Sequence, residues 1–130
     1  MQKNLLDTNI IIRFLVNDDL KKVDRIVNLL KDKTSKNILL DTIIAEIIWV
    51  LLSYYSLDKK EIIEKLRALI HVHTIECNEL LIERALTVWG ANNISYIDAY
   101  IISVAELDNI NLISYDKKLT GVSKTISREP

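Results

Sequence analysis

The chain has 130 residues, 49% of them hydrophobic and 27% charged, enough for one sizeable hydrophobic core and a single compact domain over residues 1–130. Seventeen Lys and Arg against eighteen Asp and Glu leave a formal charge of -1, which excludes a basic field over the whole molecule, so a polyanion has to be held by local patches or by metal. The one cysteine, Cys77, excludes an internal disulfide and a thiolate-rich zinc site, and it fits a reducing, cytoplasmic setting.

Met1-Gln2-Lys3-Asn4 leads straight into a strand-like run at Asn4-Leu5-Leu6, with no pattern of a secretory leader. Leu20, Val23, Ile26, Val27 and Leu30 recur at spacings of three and four, which predicts a helix with one apolar face. A second strand is predicted at Asn37-Ile38-Leu39-Leu40. The most apolar stretch, Ile43 to Leu52, is broken by Glu46 and is about half the roughly 20 residues that cross a bilayer. It reads as a buried helix with Trp49 in the core, and no membrane association is expected.

Asp58, three residues before Glu61, resembles a capping box for a helix that carries Ile62, Ile63, Leu66, Leu69 and Ile70. Val72-His73-Thr74-Ile75 is predicted as a third strand, with His71 and His73 on one side of it. No third nitrogen or sulfur ligand sits at a recognisable spacing, so these histidines read as ordinary strand residues. Asn78 precedes a helix from Glu79 to Trp89 that Gly90 closes, and Ser95 opens the next. The last two strands are predicted at Asn111-Leu112-Ile113-Ser114 and Lys124-Thr125-Ile126. With Pro only at 130 and Gly only at 90 and 121, no linker, repeat or low-complexity tract interrupts the chain.

Strands alternating with helices, several of the strands nearly all apolar, predict an α/β fold: a parallel sheet covered on both faces, a three-layer α/β/α sandwich. Ligands of such sheets bind outside the carboxyl ends of the strands. Asp7 ends the first strand and Asp116 follows the strand at 111–114, while Glu46 and Asp98 fall in early turns of helices, so four acids are placed to converge on one edge. Asp7 and Asp116 also have a structural explanation as N-caps, and Asp98 as the partner of Ser95 in a capping box. Glu46 is harder to explain in this way. Its helical neighbours are Thr42, Ile43, Trp49 and Val50, and a cap at Asp41 or Thr42 leaves it at or past the first turn, so a lone carboxylate there is costly.

Crowded carboxylates repel one another unless a cation screens them, and an oxygen-rich site without thiolate suits Mg²⁺ or Mn²⁺. The chemistry this implies is metal-assisted phosphoester hydrolysis, in which the metal acidifies a bound water, orients the phosphate and neutralises the leaving oxygen.

Four blocks carry a resemblance: Leu5-Leu6-Asp7-Thr8-Asn9-Ile10, Ala45-Glu46-Ile47-Ile48-Trp49-Val50-Leu51, Ile97-Asp98-Ala99-Tyr100-Ile101-Ile102 and Ile113-Ser114-Tyr115-Asp116-Lys117-Lys118-Leu119. In this order, over nearly the whole chain, they resemble a PIN domain, and in particular the VapC-type toxin ribonucleases of toxin–antitoxin systems. The resemblance implies a five-stranded parallel sheet, Mg²⁺- or Mn²⁺-dependent endoribonuclease activity, a homodimer, and inhibition by an antitoxin protein. It assigns Asp7, Glu46, Asp98 and Asp116 as the metal-binding and catalytic acids, Asp116 being the least constant of them. It assigns Asn9 and Ser114 as polar positions beside them, with Thr8 supporting the first turn.

Arg13, four residues after Asn9, is placed one turn further along the first helix, within reach of a substrate phosphate or of a carboxylate. Lys117, Lys118, Lys124 and Arg128 make a basic segment beside Asp116 that either steers RNA or is a solvated face. Tyr54 and Tyr55 are candidates to stack bases or to pack against a partner.

Rival chemistries lack their residues. A haloacid-dehalogenase-like site requires Asp where Asn9 stands. A phosphorelay receiver requires an Asp after its third strand, where Ile75-Glu76-Cys77 has none. Two glycines cannot build a phosphate loop, and no Ser or Cys nucleophile motif is present. The remaining alternative is a catalytically silent PIN-fold module that binds protein, and intact Asp7, Glu46 and Asp98 count against it.

Overall fold

The computed structural model describes residues 1–123, 125 and 127–130. The chain forms two compact units, Met1–Glu79 and Leu80–Pro130.

The first unit opens with β1 (Gln2–Leu5), followed by α1 (Thr8–Val16), α2 (Leu20–Lys31), β2 (Ser35–Ile38), α3 (Asp41–Ser53), α4 (Lys59–Ile70) and β3 (Ile75–Glu76). Its sheet has the order β1-β2-β3 and is parallel throughout, with Asn4 opposite Asn37 and Ile38 opposite Glu76. The ladder runs one residue past the strand ends, through Leu6 N–H to the Ile38 carbonyl (3.0 Å) and Leu39 N–H to the Glu76 carbonyl (2.9 Å). Two helices separate each pair of strands, which supplies the length a parallel crossover needs.

Helix ends follow capping chemistry. Asp19 caps α2 through Lys22 N–H, and Asp58 caps α4 through Glu61 N–H at 2.8 Å, as its spacing predicts. On α4 the five predicted apolar positions, Ile62, Ile63, Leu66, Leu69 and Ile70, are all buried. On α2 the stripe narrows to Val23, Ile26 and Leu30, while Leu20, the first residue of the helix, is 70% exposed. In the turn before β2 the Thr34 hydroxyl and amide both donate to Asp32, which holds its carboxyl below the ordinary value.

The second unit contains α5 (from Glu79 at the boundary to Ala91), α6 (Tyr96–Asp108), β4 (Leu112–Ile113), α7 (Lys117–Val122) and β5 (Ser127–Arg128), with β4 and β5 paired in parallel. Ser95 caps α6 by accepting from Asp98 N–H at 3.1 Å. Arg84 of α5 donates through Nε and Nη2 to Glu106 of α6 at 3.0 and 2.9 Å.

Several expectations are corrected. The parallel α/β character holds, but the described strands form sheets of three and two, not one of five. The predicted third strand shrinks to Ile75–Glu76, with His71 capping α4 and His73 in the turn that follows, so neither is a strand residue. The predicted Lys124-Thr125-Ile126 strand falls on Lys124 and Ile126, outside the described residues. Gly90 does not close α5, which continues to Ala91. The left-handed C-caps are instead Asn17 (φ 54°) and Asn109 (φ 52°), since Asn tolerates that region better than other residues with a side chain.

Helix α3 starts one residue earlier than either predicted cap allows, because Leu40 occupies the cap position and makes no side-chain cap bond. Trp49 is 68% exposed and does not belong to the core; Ile44, Ile47, Ile48 and Leu51 form the buried face of α3. Glu46 lies on the exposed face with Trp49, so the burial cost argued for it from apolar neighbours does not arise. Nor are the strands nearly all apolar: β1 reads Gln-Lys-Asn-Leu, with Leu5 66% exposed.

Candidate functional site

The first unit carries a cavity of about 350 Å³ at the carboxyl end of β1, formed where α1 and α3 pack together. Asp7 stands two residues past β1 and is the N-cap of α1, its Oδ1 accepting from Thr8 N–H at 2.8 Å. The cap anchors one oxygen of an exposed carboxylate against the positive end of the helix. Glu46, in the second turn of α3, lines the same cavity. These two sequence-predicted acids, 39 positions apart in the chain, are thus brought together by helix packing.

Asn9 and Arg13 also line the cavity from α1. Arg13 pairs with Asp18, Nη1 to Oδ1 at 3.7 Å, too long for a hydrogen bond and with both side chains part-exposed at 39% and 48%. The pair has a local cause. Asn17 takes a left-handed conformation and donates its amide to the Arg13 carbonyl at 2.9 Å, and this turn brings Asp18 back beside the last turn of α1. Of the two partners foreseen for Arg13, the carboxylate is the one in place.

Thr8 lines the cavity too, and it is 6% exposed. Its Oγ1 is buried without a hydrogen-bond partner, and only its amide, not its side chain, bonds to Asp7.

Of the other cavity residues, Asp18 carries no motif signal, since an Asp-Asp pair marks a helix start equally well, whereas Tyr55 is one of the two tyrosines expected to stack bases or to pack against a partner. Tyr55 is half-buried, its amide bonded to the Val50 carbonyl at 3.3 Å and its ring 5.1 Å from that of Tyr54 at an interplanar angle of 69°.

The other predicted acids belong to the second unit. Asp116 is the N-cap of α7, with Oδ1 accepting from Lys118 N–H at 2.9 Å and Leu119 N–H at 3.3 Å, so its capping role is real. The Ser114 hydroxyl accepts from Asp116 N–H at 2.9 Å and holds the turn after β4. Asp98 is half-buried in the first turn of α6, its amide bound to Ser95. Among the described residues no group of three or more His, Cys, Asp or Glu side chains is placed to hold a metal ion.

The donor set of the cavity still fits a hard divalent cation. Asp7 and Glu46 supply carboxylate oxygens, and Mg²⁺ commonly binds through one or two carboxylates while keeping several waters.

The sequence profile of the PIN-domain family matches residues 5–124, and the chain therefore belongs to that family. No curated protein matches the chain by sequence. Members of the family are in general nucleases of α/β fold that use divalent metals. No helix among the described residues is long and apolar enough to cross a membrane.

Proposed function

We propose that the protein is a divalent-metal-dependent endoribonuclease that hydrolyses RNA phosphodiester bonds, and that it is the toxin of a toxin–antitoxin pair. The observation that carries the nuclease reading is Asp7 and Glu46 lining one cavity at the end of β1 beside the cation of Arg13. Nuclease chemistry needs this pairing of hard anionic donors with a positive group, since the phosphodiester is an anion.

Mg²⁺ or Mn²⁺ held by Asp7 and Glu46 would supply activated water and charge neutralisation at the phosphate, and Asp98 and Asp116 enter as further acids on the resemblance of the sequence blocks alone. The chain's own residues do the positioning. Asp7 is fixed by its cap on α1, Asn9 offers an amide to the substrate or to a water, Ser114 orients Asp116, and Arg13 binds phosphate. The toxin role, the antitoxin partner and a homodimer rest on the resemblance of the four sequence blocks to VapC-type toxins.

The test is incubation of the purified protein with end-labelled single-stranded RNA in Mn²⁺, Mg²⁺ or EDTA, beside an Asp7→Asn protein prepared identically. Metal-dependent cleavage lost in the variant supports the reading. If neither cleavage nor metal-dependent stabilisation occurs, the second reading takes its place: a PIN-fold module that binds protein. That alternative is favoured by the lack, among the described residues, of a group of three acids placed around one ion.

A further inference from the structure

Three side chains of the cavity are not needed to bind metal: Arg13, Asp18 and Tyr55. We infer that they form a subsite for one unpaired nucleotide of RNA, in which the base lies on Tyr55, the adjoining phosphate binds Arg13, and Asp18 is a built-in competitor that the phosphate displaces. This rests on the proposed ribonuclease reading and adds to it the residues that select an unpaired nucleotide.

The chemistry of each residue supports the assignment. Tyr55 is half-buried just past the end of α3, its amide bonded to the Val50 carbonyl and its ring edge-to-face with that of Tyr54. Every base has a π-face, so a rigid aromatic in a groove accepts unstacked bases whatever their identity, whereas paired bases stay stacked on one another. Arg13 is the cation suited to a phosphate, because its planar guanidinium can present two parallel N–H groups to two oxygens. A cavity of about 350 Å³ lies near the small end of the roughly 300–1,000 Å³ typical of small-ligand sites, room for one nucleotide and not for a duplex.

Asp18 gives Arg13 a partner when the site is empty, and the pair, 3.7 Å apart, part-exposed and without a hydrogen bond, is weak. A phosphate that makes hydrogen bonds outcompetes such a partner. Removing the Asp18 charge should accordingly strengthen RNA binding, whereas a structural salt bridge or a metal-binding role for Asp18 would have its removal weaken or leave unchanged the affinity for RNA.

The experiment uses the full chain in EDTA, so that binding is read without cleavage. A short fluorescent single-stranded RNA carrying 5-iodouridine is titrated for affinity and, separately, irradiated at long wavelength, with the crosslinked residue mapped by mass spectrometry; a duplex of the same sequence is the control. The expected results are a crosslink at Tyr55, affinity about tenfold weaker in Tyr55→Ala and near wild type in Tyr55→Phe, weak duplex binding, and affinity about threefold stronger in Asp18→Asn but lost from that gain in Arg13→Gln/Asp18→Asn.

Unchanged affinity in Tyr55→Ala, equal binding to duplex, a crosslink only at other residues, or no RNA binding by wild type overturns the subsite. Weaker binding by Asp18→Asn overturns the competitor role. The two readings fail separately: a protein that binds as described but cuts no RNA with either metal loses the nuclease reading, and one whose Asp7-dependent cleavage keeps the same KM in Tyr55→Ala loses the subsite.

Discussion

Asp7 joins two roles in one residue, helix cap and candidate metal ligand, and substitutions can separate them. Asn caps a helix about as well as Asp, so Asp7→Asn is expected to abolish cleavage with the cap intact, while Asp7→Ala also loses about 1 kcal/mol of stability. In metal-free buffer Asp7→Asn should melt above wild type, because it relieves repulsion between Asp7 and Glu46 at one cavity; a lower melting temperature in thermal denaturation would rule that out.

Cys77 is a residue of the opposite kind, chemically quiet. Burial, together with the charges of Glu79 and Asp41, pushes its thiol up to about 11. The folded state thus disfavours the thiolate, so its stability is unaffected below the pKa of the unfolded thiol and falls as pH rises through that value toward about 11. Native protein should react with iodoacetamide far more slowly at neutral pH than the unfolded chain does, and a rate equal to that of the unfolded chain would overturn this.

At the scale of elements, α3 shows how a helix can be nearly all apolar in sequence and still present a wet face. Ile47 is fully buried and Trp49 is 68% exposed, so Ile47→Ala should cost about 2–5 kcal/mol in urea denaturation and Trp49→Ala less than about 0.5. The first sheet holds a polar element that no apolar pattern reveals. Asn4 Nδ2 donates to Asn37 Oδ1 at 3.0 Å, Asn37 Nδ2 donates to Thr74 Oγ1 at 3.2 Å, and the Thr74 hydroxyl donates to the Leu30 carbonyl. Asn37 is fully buried, so this chain ties β1, β2 and the segment before β3 in one register. Asn37→Ala should destabilise by about 1–3 kcal/mol, since it removes the acceptor of the Asn4 amide and the donor to the buried Thr74 oxygen, while the Thr74 hydroxyl keeps its bond to the Leu30 carbonyl; a change below about 0.5 kcal/mol would mean that water replaces the lost bonds.

For the whole molecule, charge balance sets how RNA binding responds to salt. Acids equal or outnumber bases in each unit, so binding depends on few contacts. With one or two phosphates of a single strand held, log K should fall against log salt with a slope of only about -0.7 to -1.4, measurable by titration in increasing KCl. A much steeper slope would show an extended basic surface in place of a few local contacts.

The sequence by itself determined much. Four ordered acidic blocks named the family, the spacing of Asp58 and Ser95 set two helix starts, and the three-four period on α4 gave its buried face, because capping and amphipathic periodicity are local properties written in consecutive residues. Tertiary structure alone decided that Glu46 faces solvent at the cavity it shares with Asp7, that Trp49 lies outside the core, that the described strands divide three and two, and that Asp18 and Tyr55 join the cavity. The placing of Glu46, Trp49 and Asp18 depends on which face of α3 packs against α1 and on the turn of the chain at Asn17. Such choices are made by packing between residues distant in sequence, and a single chain read alone carries no separate signal for them.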